Sequence, residues 1–549
     1  MYSVRILKNL RIKYSLILIA CCLVCLSCSK KTDKSNNNVF HYNETASLTS
    51  LDPAFARDQA MIWVDNQIYN GLVQLDSNLD VQPCIAHSYD INEDGTVYTF
   101  HLRKDVFFHE DICFNQKTRR VVAEDFVYSF NRILDEKLAS PGAWIFEKVS
   151  KENNAYAFRA IDDSTLQIKL KDPFAPFLGL LSMPYAYVVP MEAVAYYGEN
   201  FRKHPVGTGA FKFKFWKEGV KLVLRKNDKY FEKDANGNAL PYLEAINVTF
   251  IVDKQSVFLE FIKGNIDFIS GIDPNYKDEI LTRKGTLQPK YQNKINMHKQ
   301  PYLNTEYLGF YMDSKSQKNN PLLNQKVRQA INYGFDRAKM IRYLRNNIGT
   351  AGIYGMIPKG VAGFQQDTSI AYSYNPKKAR QLLQEAGYYK TTPVITLSTT
   401  ASYLDLCKYI QQQLSLLGMK IKIEVNPPAE LREMMAQGKS AWFRGSWIAD
   451  YPDAENYLSL FYSKNFAPMG PNYTHFKNEK YDRLYEQASK ETSLEKRTEL
   501  YAQMNKIIME QAPVVVLYYD EVLRFTQKNI HGLHSNAMNL LTLKTVYKK

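Results

Sequence analysis

The run Arg444-Gly445-Ser446-Trp447-Ile448-Ala449-Asp450-Tyr451-Pro452-Asp453 brings a guanidinium, an indole and a carboxylate into one short stretch. Such groups recognise more readily than they transform. A carboxylate receives an ammonium through charge-assisted hydrogen bonds, and a guanidinium grips a carboxylate bidentately. An indole adds a broad apolar face with one donor. Groups that would transform a substrate are not in evidence. The 9 His show no HExxH or other paired metal spacing, and the chain has neither a GxSxG elbow nor a GxxxxGK[ST] loop. Val206-Gly207-Thr208-Gly209 alone does not make a phosphate cradle. Asp450 and Asp453 could be paired as glycosidase carboxylates, but Asp453 reads better as a turn residue. The expectation is a binding protein with no catalytic residue, no metal ligand and no cofactor.

The elements that must position this run are legible upstream of it. Asn375-Pro376 opens a helix, with Asn as cap and Pro in the first turn. Ala379, Leu382, Leu383 and Ala386 then recur at helical spacing, and Gly387 closes the helix. Residues 393–399 read as a strand, 404–417 as a helix and 419–425 as an alternating strand. Asn426-Pro427 caps a further helix through Gln437, and 441–448 is the next strand. This βαβαβ order predicts an open parallel sheet, whose ligands sit beyond the carboxyl ends of its strands. Asp450 falls just past one such end. If the strand stays extended, Arg444, Ser446, Ile448 and Asp450 share a face, about 20 Å from end to end at about 3.3 Å per residue.

The chain is long enough, at 549 residues, to require two or three lobes. Arg5, Lys8, Arg11 and Lys13 precede an apolar segment, 14–26, that is shorter than the roughly 20 residues a membrane span needs. It reads as a secretory signal over 1–27. Leu26-Ser27-Cys28 and the polar run after it resemble a bacterial lipobox, although Cys25 stands where a Leu is usual. Cys28 is then the lipidated residue and 28–38 a tether; an ordinary secreted protein cleaved nearby is the alternative. Of the 7 cysteines, only Cys84, Cys113 and Cys407 lie beyond this segment, so a disulfide scaffold is excluded and buried thiols are expected. Formal charge is +14, about +10 without the four signal cations, and is scattered rather than clustered, which gives no support to nucleic-acid binding. The 38 Tyr and 29 Phe suit a wet, aromatic cleft as well as ordinary cores.

Read in order, several stretches resemble the bacterial extracellular solute-binding proteins of family 5, the oligopeptide- and dipeptide-binding lipoproteins of ABC importers. They are Ser50-Leu51-Asp52-Pro53, Asp94-Gly95 with the strand Tyr98-Thr99-Phe100-His101-Leu102-Arg103-Lys104, and the helix start Ala123-Glu124-Asp125-Phe126. Pro205-Val206-Gly207-Thr208-Gly209-Ala210-Phe211, Gly264-Asn265-Ile266-Asp267, the helix 324–337 and the strand 512–519 follow at the family's spacing. The loop 108–120 departs from the pattern, being longer and lacking Asp-Gly-Thr-Pro.

The resemblance implies an α/β, two-lobe periplasmic-binding-protein-like (type II) fold with an inserted subdomain. Lobe I would comprise 39–64, 188–299 and 510–549, the insert 65–187 and lobe II 300–509. It implies a monomeric receptor on the periplasmic side of the envelope, held to the membrane by its lipid. Short peptides would be captured between the lobes and passed to permease subunits. A nickel chelate, haem or an oligosaccharide is the alternative cargo. By resemblance Asp450 pairs with the ligand's α-ammonium, against the alternative of a mere turn residue. Arg444 contacts the ligand carboxylate or makes a structural ion pair with a neighbouring lobe. Met435 replaces a second arginine of the oligopeptide-binding relatives. Trp447 lines a side-chain pocket or is core, and so with Tyr518 facing the cleft. Leu48 would offer backbone groups to an added strand.

Overall fold

The computed structural model describes residues 38–271, 273, 276–313, 315 and 320–549. The signal, Cys28 and the tether through 37 lie outside the described residues.

Strand β1 (Val39–Asn43) buries Phe40 and Tyr42 on alternate positions. Helix α1 (Gln59–Ile68) begins where the Asp58 carboxylate accepts the Met61 amide. The apolar spacing over 61–72 predicts a longer helix. It stops at Ile68 because Tyr69 turns extended and Asn70-Gly71 redirects the chain into a short strand at Val73–Leu75. Strands β2 (Ala86–Ile91) and β3 (Val97–Leu102) form a hairpin. Helix α2 (Ala123–Ile133) carries Glu124 and Asp125 in its first turn, where the dipole favours them. Strands β4 (Phe158–Asp162) and β5 (Thr165–Lys169) complete a four-stranded antiparallel sheet in the order β2-β3-β5-β4. Phe130 of α2 packs on it, 4.7 Å from the Phe146 ring and 5.2 Å from that of Phe158.

The large sheet is built from β1, nine further long-range partners and the two-residue strand Thr350–Ala351, which pairs with Tyr518 and Tyr519 off the main path. The long-range partners are β6 (Phe211–Lys217), β7 (Lys221–Lys226), β8 (Ala245–Thr249), β9 (Phe268–Ser270) and β10 (Ile295–Phe310). Then come β11 (Val394–Thr399), β12 (Lys420–Val425), β13 (Trp442–Ile448) and β14 (Val514–Gln527). Their order is β6-β7-β8-β1-β9-β14-β10-β13-β11-β12. Helix α3 (Lys254–Lys263) precedes β9, while α4 (Pro376–Glu385), α5 (Leu404–Ser415) and α6 (Pro428–Ala436) alternate with β11, β12 and β13. β11 pairs in parallel with both β12 and β13, as the βαβαβ reading requires. The Asn375 carboxamide accepts the Lys378 amide as the expected cap. Asn426 does not cap α6: Pro427 occupies that place, and the Asn426 side-chain carboxamide nitrogen donates back to the Glu424 carbonyl at 3.4 Å.

Two parallel blocks are thus joined by one antiparallel pair of long strands. β1 runs parallel to β8 and β9 at one end, and β11 parallel to β12 and β13 at the other. β10 and β14 cross between the blocks, and their register breaks between Pro301 and Thr305 and again between Glu306 and Tyr307. Pro301 has no N–H for the ladder, and such breaks bend a strand and sharpen its twist. In the second block both faces are covered. Leu308, Phe310, Trp442, Val515 and Leu517 face one core, while Leu303, Tyr307, Phe443, Val514 and Val516 face another. The segment that carries the four-stranded sheet also touches the second half of the chain. Tyr451 is buried in the core that this segment shares with the first block, its ring 6.4 Å from that of Trp144, and Lys490 lies 3.6 Å from Asp172.

Candidate functional site

β13 delivers the charged run as its pleat dictates. Arg444, Ser446 and Ile448 stand opposite Leu308, Glu306 and Asn304 of β10, hence on the same face as those residues. Trp447 emerges on the other face and packs, half-buried, against the core there. The Ala449 amide continues the ladder to the Leu303 carbonyl at 2.9 Å, and the chain then leaves the sheet at Asp450.

Arg444 is held within its own block. Its guanidinium ion-pairs with Glu306 and lies 3.3 Å from the centre of the Tyr403 ring, while Tyr403 donates to the other Glu306 oxygen at 3.3 Å. Asn304 donates to both Glu306 (3.1 Å) and Asp520 (3.2 Å). Arg345 completes the chain, 2.6 Å from Asp520 and 2.8 Å from the Tyr518 hydroxyl, with its guanidinium stacked 4.0 Å over the Tyr518 ring. Tyr518 is fully buried. Burial pushes the Glu306 carboxyl up, and Arg444 pulls it back. Two buried polar atoms of this network have no partner, Arg444 Nε and Asn304 Oδ1. Both lie beside the register break where the blocks join, and a partly satisfied buried network of this kind is poised to accept another polar group.

Asp450 is exposed yet crowded by protein, so that loss of hydration raises its carboxyl above the ordinary value. Asn456 organises it. The Asn456 carboxamide oxygen accepts from the Asp450 amide (3.2 Å) and the Trp447 indole (2.8 Å), and its nitrogen donates weakly to Asp450 Oδ2 at 3.4 Å. Among the described residues no Lys, Arg or His forms an ion pair with Asp450. Its charge is felt by Tyr457 of its own block and by Tyr185. Asp453 is otherwise occupied: it accepts from the Tyr501 hydroxyl (2.6 Å) and Arg497 (3.3 Å) and caps the turn at the Glu455 amide.

Leu48 is buried, in an irregular stretch after β1 where the backbones of 45–48 make no hydrogen bond among the described residues. The structure therefore brings Arg444 and Tyr518 into one network and Asp450 and Trp447 into another, with Leu48 on the opposite block. Cys84 and Cys407 are buried and Cys113 half-buried, all as free thiols, and burial pushes the Cys84 thiol up to about 12. Sequence reading missed Glu306, Asn304, Tyr403 and Asn456. Glu306 left one signal, the only charged residue in 300–312, a stretch otherwise of apolar and neutral residues.

A sheet in two parallel blocks, crossed by two strands and carrying charged residues at the junction, is an architecture with known counterparts. The model for bacterial extracellular solute-binding proteins, family 5 Middle, matches residues 80–468. The chain belongs to this family. Among solved structures, the periplasmic binding protein DppA from Helicobacter pylori, in complex with peptide STSA, superimposes with a TM-score of 0.72 at 28% identity, covering 93% of this chain and 98% of that one. Heme-binding protein A from Haemophilus influenzae is 28% identical over 535 residues, 92% of this chain and 93% of that protein. Glutathione-binding protein GsiB from Shigella flexneri serotype 5b is 26% identical over 496 residues, 89% and 90% of the two chains. This family 5 protein therefore has the two-lobe, periplasmic-binding-protein fold, and no helix among its described residues is long and apolar enough to cross a membrane.

Proposed function

We propose that this family 5 protein is the receptor of an ABC importer, captures short peptides between its lobes and hands them to permease subunits. Lobe I comprises 39–64, 188–299 and 510–549, the insert 65–187 and lobe II 300–509; Cys28 carries the lipid that holds the monomer to the membrane. One observation carries the peptide reading. Asp450 presents an exposed carboxylate within electrostatic reach of Tyr185, partly stripped of water and, among the described residues, without an ion-pairing cation. An α-ammonium supplies three donors and the missing charge. Trp447, oriented through Asn456, walls the adjoining side-chain pocket. The unpaired backbone around Leu48 suits strand addition, which reads what all peptides share. Arg444 and Tyr518 act behind the site. The orphaned Arg444 Nε is the donor left for a ligand carboxylate or a bridging water.

Closing on ligand shifts an open–closed equilibrium only if the ligand touches both lobes, and Asp450 with the 45–48 backbone meets that condition. The peptide complex of the Helicobacter pylori relative supports the reading. The relatives named for heme and glutathione favour a second one, the same transport role with another solute. Native mass spectrometry of protein purified from its host separates the two: co-purified masses of di- to pentapeptides are expected, and a single non-peptide mass would overturn the peptide reading.

A further inference from the structure

The first lobe has a recess of its own. Beyond the carboxyl ends of the parallel strands β1 and β9 lies a cavity of about 420 Å³. The crevice outside strand carboxyl ends is where open α/β sheets bind ligands. Glu44, the residue after β1, and the rings of Trp63, Phe258, Tyr276 and Tyr302 line it. Tyr302 comes from the second lobe and also lies near enough to Tyr457, itself a neighbour of Asp450, for their charges to interact. Tyr302 thus links the cavity wall to the surroundings of Asp450.

Glu44 has nothing to do within the fold. Its Oε1 is buried and makes no hydrogen bond. No Lys, Arg or His among the described residues forms an ion pair with it. Lys254, the cation on the cavity wall, is 3.2 Å from Asp273 instead. A buried carboxylate without a partner is costly, and one ringed by aromatic faces has the make-up of a cation receptor.

We propose that Glu44 is a second cation receptor, holding the side-chain ammonium or guanidinium of a basic residue, so that this protein prefers peptides containing Lys or Arg. The peptide part of this statement rests on the function proposed above; the cation receptor does not. A proton is the natural placeholder in the empty site. Loss of hydration, and then the charge of Asp58 at the start of α1, push the Glu44 carboxyl up to about 8. The other polar groups facing it are the Tyr42 hydroxyl beneath, the Lys254–Asp273 pair, Tyr276 and Tyr302. A ligand cation must displace that proton. Its affinity therefore rises by up to about tenfold per pH unit toward pH 8 and levels off above it.

Calorimetry on the full chain tests this with trialanine bearing Lys at each position in turn, against the same peptides bearing norleucine. At pH 8 the best Lys peptide should bind at least about tenfold more tightly than its norleucine counterpart. Glu44→Gln should abolish that gap while keeping norleucine-peptide affinity and the melting temperature. Asp450→Asn should weaken both peptides alike. Should Glu44→Gln fail to fold, the wild-type protein still decides the matter: at pH 7 the Lys peptide should release about one proton more than the norleucine peptide, read from buffers of different ionisation heat. Equal affinities for the two peptides, a gap that survives Glu44→Gln, or no extra proton would overturn the proposal. If no peptide binds at all, agmatine is the probe. Agmatine binding lost in Glu44→Gln would keep the cation receptor and remove the peptide reading, whereas no agmatine binding would remove both.

Discussion

Arg444 and Asp450 leave the same strand by neighbouring turns of chain, and their charges meet opposite fates. Arg444 points onto the face where Glu306 and Tyr403 wait, and its charge is neutralised before any ligand arrives. Asp450 stands past the last ladder bond, where the Asn456 carboxamide touches it and no cation among the described residues pairs with it. The first charge belongs to the junction of the two parallel blocks, and the second to the exposed turn beyond the strand. Breaking a buried ion pair leaves an uncompensated charge, whereas an exposed carboxylate can wait for its partner at modest cost because water reaches it. Position past the end of the strand, rather than residue type, separates scaffold from receptor here.

The comparison can be broken at either end. The largest effect is expected at Glu306, where Glu306→Ala strands the Arg444 guanidinium; urea unfolding should show a loss of about 3 kcal/mol. An unchanged midpoint would mean that Arg444 is not structural and is free for ligand. Asp450→Asn should cost no stability but weaken peptide binding by about a hundredfold, and N-acetylation of the peptide should weaken binding to the wild type to a similar degree. Acetylated peptides that bind as well as free ones would make Asp450 a turn residue.

A smaller, graded effect is expected with pH. The Asp450 carboxyl is raised, so the empty protein holds its proton more tightly than the unfolded chain does. That contribution to stability is present in acid and is lost as pH rises through the raised value, while ammonium binding runs the other way. Titration calorimetry should therefore show affinity falling as pH is lowered through the raised value of the Asp450 carboxyl. Smallest of all, Trp144→Ala removes a ring that meets Tyr451. A loss of about threefold in affinity, with a more open average shape by small-angle scattering, is expected. No change in either would place that contact outside the closing motion.

Much of the scaffold was legible because its determinants are local. Asn375 announced a helix start through the amide it caps, and the alternation of apolar residues in 393–399 and 419–425 announced strands whose intervening helix forced parallel pairing. The same local logic failed where two rules competed. Helical spacing over 61–72 was real, yet the chain left the helix at Tyr69, and Pro427 displaced Asn426 as cap because it already stood next to the first turn. For the candidate site, Asp450 was legible as an acid placed just after a strand end. Asn456, which orients it, was not, since a carboxamide in a turn has many local uses.

By itself the sequence determined the element order, the faces of each element, and an acid set at the mouth of a parallel sheet, because each follows from neighbours within a few residues. Only the tertiary structure decided which charges are spent. Glu306 reaches Arg444 from 138 residues away, a pairing that exists because β10 lies beside β13. Among the described residues Glu44 has no ion-pair partner, and Lys254, which shares its cavity, pairs with Asp273. Strand order sets those distances, and no local pattern encodes which of several distant charges will arrive within bonding range.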